Sequence, residues 1–232
     1  MNATRAVIPL LLLLASCGDA PAPVPEGEAS AATPDPSRPL PLPLPEIVAR
    51  VNGQEIRIRQ ILPLAKLSLD KVSVAERDKH KPEIVRKALD DFISRELLLQ
   101  EALARGIAAD TRDVDWSYDQ IRGQYPAEED WAAFLSSQGM DAQTFKAEVR
   151  VQATVSALMA QEIEAWPVPE AEARAAYAAN PRGFGPPGAA AAPSFAEARA
   201  EVEQAVRRMN AVEIQAALLA RLRARARIER YI

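Results

Sequence analysis

The 232-residue sequence predicts a mainly α-helical domain of many helices, closed by a small antiparallel sheet made from an N-terminal hairpin and the C-terminal strand. Three observations lead there. Two long segments, about 82–105 and 142–164, repeat apolar residues at helical spacing. Asn52-Gly53, set between two short strand-like runs, is the strongest local hairpin signal in the chain. The last residues, 227–232, read as a strand, and a two-stranded hairpin is marginal in water until a third strand joins it.

Ahead of this domain, residues 1–16 read as a lipoprotein signal peptide. Arg5 supplies a basic start and Ala6 to Leu14 a nine-residue apolar run. As a helix that run spans only about 14 Å, where a bilayer needs roughly twenty residues. Leu14-Ala15-Ser16 then precedes Cys17, the only cysteine. Leu-Ala-Ser-Cys resembles the lipobox of bacterial lipoproteins, which implies cleavage before Cys17 and a lipid on its thiol. A lone thiol has no internal disulfide partner, and acylation removes its tendency to pair wrongly in an oxidising compartment. Gly18, rather than an aspartate, favours the outer over the inner membrane. With Arg5 removed, 27 basic residues face 32 acidic ones, a net charge of −5. No basic cluster resembles a nucleic-acid footprint, so nucleic acid is not an expected partner.

Residues 17–45 form the lipidated cysteine and a tether. Nine prolines lie between Pro21 and Pro45, and large apolar residues scarcely appear before Leu40. Such a segment buries too little to offset its ordering entropy. Extended at about 3.1 Å per residue, it reaches roughly 85 Å.

The folded domain is expected over 46–232. Ile47 to Val51 and Glu55 to Ile58 form the hairpin, and a short helix follows at about 59–69, with Pro63 acceptable only in a first turn. In the helix 82–105, Pro82 suits the first turn, Val85, Leu89, Phe92, Leu99 and Leu103 make the apolar stripe, and Gly106 stops it. Glu96 interrupts that stripe and reads as a rim residue paired with an arginine. Helices are expected at about 111–123 and 127–137. Asp141 caps the long helix 142–164, Pro167 and Pro169 end it, and a short helix runs to Ala179. Residues 181–193 are a Pro-, Gly- and Ala-rich linker. A capping box of Ser194 and Glu197 opens one long helix to about Arg225.

The order of these parts resembles the N-terminal module of SurA-type periplasmic chaperones and the related PrsA-type foldases. The likeness rests on Val48 to Ile56, on Leu97 to Ala102 with Arg105-Gly106-Ile107, and on Gly139-Met140 with Phe145. It continues in Ala173-Arg174, Tyr177, Asn180-Pro181, Phe184, Ser194-Phe195 and Leu222 to Glu229. The resemblance implies a chaperone body that binds unfolded or exported polypeptides. In those families a parvulin prolyl isomerase domain normally lies between segments like Tyr177–Phe184 and Ser194–Arg199. Here only the thirteen linker residues 181–193 stand in its place, so the resemblance carries over no isomerase residue.

Nothing else in the sequence points to an enzyme or a cofactor. His80, the only histidine, lies in the polar run Arg77 to Lys81 and has no metal-ligand spacing. No phosphate loop or nucleophile elbow occurs. The acidic runs Asp90-Asp91 and Glu128-Glu129-Asp130 read as solvated helix faces. Six of the twelve aromatic residues fall between Trp116 and Phe145, namely Trp116, Tyr118, Tyr125, Trp131, Phe134 and Phe145. Together with Ile121 they are either a helical core or the lining of an apolar groove for extended polypeptide, a task that suits Tyr and Trp. The expected function is therefore a lipid-anchored, periplasm-facing holdase for exported or outer-membrane proteins. The rival readings are an adaptor lipoprotein docking one dedicated envelope partner and, behind it, an active prolyl isomerase.

Overall fold

A computed structural model describes residues 39–185 and 191–232. Cys17, the signal peptide, most of the tether and residues 186–190 of the linker lie outside them. Strand β1 (Ile47–Val51) turns through Asn52 and Gly53, both at positive φ, into β2 (Gln54–Arg57). An asparagine followed by a glycine accepts that left-handed backbone at little cost. The terminal strand β3 (Ile228–Arg230) pairs antiparallel on the other edge of β1, giving the order β2-β1-β3. Closure of the sheet by the chain end is thus as the sequence predicts.

Asn52 does more than turn the chain. It exchanges backbone and side-chain hydrogen bonds with Arg227, each at 2.8 Å, and its amide donates to Gln100 at 2.8 Å. Gln100 in turn donates to the Val51 carbonyl and to Glu96. The hairpin, the last strand and the long second helix meet at this one side chain. Glu96 is a half-buried rim residue, as expected, but an amide rather than an arginine donates to it here.

Helix α1 (Ile58–Leu69) follows β2 without a loop, and α2 (Arg77–Ala104) returns beside it. Both helices correct the sequence reading. Pro63 sits in the second turn of α1, and α2 begins five residues before Pro82, placing that proline inside it as well. Each proline leaves the carbonyl four residues earlier without its helical donor, on Arg59 and on Asp78. Both of those residues are exposed, so water can serve the carbonyls. The polar run Arg77 to Lys81, with His80, is the first turn of α2. The buried stripe of α2 is Val85, Ala88, Leu89, Ile93, Leu97, Leu98 and Ala102, whereas Phe92 and Leu99 are half-buried and Leu103 is exposed.

Helices α3 (Thr111–Arg122), α4 (Glu128–Ser137) and α5 (Ala142–Ala165) follow, with Asp110 and Asp141 as N-caps accepting from Arg112 and Thr144 at 2.7 Å. The Thr144 amide, with its hydroxyl, holds the Asp141 carboxyl below the usual carboxylate range. After α6 (Glu170–Ala179) a 3-10 turn covers Pro181–Phe184, and the capping box of Ser194 and Glu197 opens α7 (Phe195–Met209). The expected single long helix is broken at Asn210, and α8 (Ala211–Arg225) completes it. The Asn210 side-chain amide donates to Glu172 on α6 at 2.8 Å.

Three apolar clusters result. The main one joins β1 and Ile56 to α1, α2, the second half of α5, α8 and Ile232. Leu40 and Leu44 also pack against it, so the end of the proline tether rests on the body instead of leaving it freely. A second cluster joins α3, α4 and the first half of α5, and a third joins α6 to α7. Replacing Asn52 by Ala removes its side-chain bonds and leaves in the left-handed region a residue that lacks the polar side chain by which asparagine tolerates it. Denaturant unfolding is expected to show a loss of about 2–4 kcal/mol with unchanged slope.

Candidate client-binding surface

The aromatic residues converge as a set in the second cluster. Trp131 and Phe145 are each only 3 % exposed and stand edge to face, with ring centroids 5.5 Å apart. They are the centre of a packed core, which removes them from any surface offered to a partner in this conformation. Around them Tyr118, Ile121, Tyr125 and Phe134 are half-buried members of the same cluster. Tyr125 stacks on Phe134 at 4.6 Å, Phe134 on Trp131 at 5.4 Å, and Tyr118 meets Trp131 edge to face at 5.7 Å. Trp116 is half-buried too but belongs to none of the three clusters.

Helical spacing explains this division. On α4, Trp131 and Leu135 lie four residues apart and face inward, while Phe134, one residue off that line, sits at the rim. On α5, Phe145 and Val149 repeat the same spacing. Cations border the rings. The Arg122 guanidinium lies 5.5 Å from the Trp131 ring centre, donates to the Tyr125 carbonyl and pairs with Glu128 at 2.5 Å. Lys146 stands over Tyr118 and pairs with Asp115 at 2.7 Å. Buried Thr154 on α5 accepts from the Ala109 amide at 3.2 Å, fixing the entry to α3. The arrangement is an apolar rim with ring edges and hydroxyl groups at its margin, a chemistry for contact rather than for bond making.

The acidic runs are more engaged than their sequence shows. Asp90 pairs with Arg230 at 2.9 Å and Asp91 with Lys87, so Asp90 helps to hold β3, whereas Glu129 and Asp130 are exposed in the first turn of α4. His80 stands 3.8 Å from Glu83. Among the described residues no group of three His, Cys, Asp or Glu is placed to hold a metal ion. Nor is any described helix long and apolar enough to cross a membrane.

A second aromatic group went unweighed in the sequence. Tyr177, Phe184 and Phe195 meet beside the linker, with Tyr177 donating to the Pro193 carbonyl and Arg174 lying 4.6 Å from the Phe195 ring centre. The two ends of the linker are thereby held together. The signal was present in the residues quoted for the family resemblance, but their spacing along the chain does not reveal that they touch.

The residues thus assemble a helical body closed by a three-stranded sheet, with a half-buried aromatic rim on one side. The model of the SurA-like N-terminal domain matches residues 37–159, more than half of the chain, and the protein belongs to that family. The match takes in the hairpin, α1 to α4 and most of α5, hence the whole aromatic cluster. Domains of this kind bind unfolded polypeptides in general and are not themselves catalytic. Comparison with curated proteins finds no match.

The burial pattern makes opposite demands on two tryptophans. Trp131→Ala is expected to cost about 3–5 kcal/mol in denaturant unfolding, the range for a large core aromatic. Trp116→Ala, outside the clusters, should cost under about 1 kcal/mol.

Proposed function

We propose that the protein is a lipid-anchored holdase of the bacterial envelope, attached through Cys17 and facing the periplasm, with the outer membrane favoured by Gly18. Its work is to bury apolar segments of unfolded exported or outer-membrane proteins reversibly, so that they do not associate with one another. It uses no cofactor and carries no isomerase site of its own. The observation that supports this most is the half-buried rim of Tyr118, Ile121, Tyr125 and Phe134 around a rigid aromatic centre. Ring faces and edges accept many apolar sequences, because contact with them needs little directional matching. Trp116, half-buried and outside the three clusters, is a further aromatic of α3 open to contact.

The SurA-like family supports the reading from a second side, since promiscuous peptide binding is the general role of such domains. The proline tether fits it mechanically: a long extended spacer lets an anchored body meet chains at a distance from the bilayer.

The test is suppression of aggregation. Full chain carrying Cys17→Ser is expected to keep several unrelated, chemically unfolded proteins from scattering light at near-stoichiometric amounts. The double variant Trp116→Ser, Tyr125→Ser should lose at least half of that protection while keeping its helical circular dichroism. Protection of none of the clients, or of one alone, would contradict the holdase reading and favour a dedicated adaptor.

A further inference from the structure

The lysines are distributed unlike any other residue. Five of the six, Lys66, Lys71, Lys79, Lys81 and Lys87, fall within 22 residues. Between Arg59 and Lys87 the chain carries eight Lys or Arg against four Asp or Glu, although the whole chain has a net charge of −4. Helices α1 and α2 pack against each other, so the last turns of one and the first turns of the other lie at the same end of the molecule. Lys66, Lys71, Lys79 and Lys81 therefore gather around the elbow that joins them, and all four are exposed.

Most arginines elsewhere on the body are paired, Arg150 and Arg208 being among the exceptions in the described residues. Arg105, Arg122, Arg174, Arg199, Arg207 and Arg225, among others, are committed to carboxylates. Among the described residues, Lys66, Lys71, Lys79 and Lys81 have no ion-pair partner. Of the four acids nearby, Asp70 pairs with Arg77, Glu76 accepts from Ser73 and Glu83 faces His80, while Asp78 is exposed and without a partner among the described residues, so the lysines outnumber the acids left to oppose them. Exposed aliphatic side chains stand among the lysines. Leu62 and Leu67 are exposed on α1, and Val74 is 80 % exposed in the elbow itself. Leu62 and Lys66, four residues apart, share one face of α1.

We propose that this elbow is a membrane-contact surface for anionic phospholipid, by which the body lies back onto the bilayer. Lysine suits such a target. Its compact, flexible ammonium attracts phosphate at many geometries, whereas a structured acidic partner is better matched by the arginine fork. Exposed leucine and valine between the cations add apolar insertion at the headgroup level, and a fluid surface needs no register or pocket. The inference rests on the anchored-lipoprotein reading, which keeps the body within a tether's length of a bilayer. Two positions of the body then follow, one extended on the tether and one held on the lipid.

Vesicle flotation tests it, using full chain with Cys17→Ser so that no acyl group contributes. Vesicles rich in phosphatidylglycerol are expected to carry the protein in low salt, and pure phosphatidylcholine vesicles to carry markedly less. Replacing Lys66, Lys71, Lys79 and Lys81 with glutamate should weaken binding by on the order of fivefold per lysine. The milder pair Lys66→Gln, Lys81→Gln, which disturbs no ion pair, should weaken it by roughly tenfold or more and guards against misfolding of the first variant. Equal binding to both vesicle types, or full binding by the glutamine pair, overturns the proposal. So does retention on immobilised polyglutamate without vesicle binding, which assigns the elbow to an acidic protein. Because these vesicles hold no covalent anchor, failure here is separate from failure of lipid attachment at Cys17, which is read by palmitate incorporation.

Discussion

Strand β1 is paired on both edges, by the neighbouring hairpin strand and by the last strand of the chain, and the remaining structure is arranged around that closure. Its residues Val48, Ala49 and Val51 are wholly buried, so the strand is at once the centre of the sheet and one wall of the main core. For β3 to reach it, α8 must run back alongside α2 and α5. A ladder of charges lines that route. Arg105 donates to Glu101 at 2.7 Å and to Glu162 at 2.6 Å, Arg221 reaches Glu162 at 2.8 Å, and Arg225 reaches Glu101. The two carboxylates raise the already high pKa of Arg105, Glu162 contributing most, so its cation persists at any relevant pH. Exposed pairs of this kind contribute little singly, but an alternating set joining three helices fixes their register. Without β3, the edge of β1 would be a template for further strands.

Helix α5 links this closed core to the aromatic cluster. Its first half supplies Phe145 and Val149 to the aromatic cluster, and its second half supplies Val155, Leu158 and Met159 to the core beneath the sheet. The rim residues Tyr118, Ile121 and Phe134 stand on α3 and α4, and Tyr125 in the loop between them, all packed against the centre that α5 helps to build. Trp131 and Phe145 hold the shape, and the half-buried rings around them present it. That division answers the choice the sequence left between a core and a groove: six of the seven residues, Trp116 excepted, make a small core whose outer members stand half-buried at its margin.

Much of this was legible beforehand. The hairpin turn, the Asp141 cap and the capping box of Ser194 with Glu197 are local chemistry, so few residues decide them. The return of residues 227–232 to the hairpin followed from the instability of two strands alone. What local reasoning missed depends on tertiary partners or on water. Pro63 and Pro82 are tolerated inside helices because the carbonyls they orphan belong to exposed residues. Asn210 interrupts an otherwise helical run, and its side chain bonds Glu172, which is distant in sequence. Leu40 and Leu44 are seated on the core although the residues around them have the composition of a tether. Among the site residues, spacing alone did not separate Trp131 from Phe134, since one step on a helix decides which ring is buried.

The central claim is that client contact falls on the aromatic rim. Photo-crosslinking with benzophenylalanine at Tyr125, compared with the exposed Glu201 on α7, tests it most directly. With a chemically unfolded outer-membrane protein, the account predicts strong crosslinks from position 125, competed by a second unfolded protein, and few from position 201. Equal labelling at both positions, or none at position 125 while aggregation is still suppressed, would contradict it.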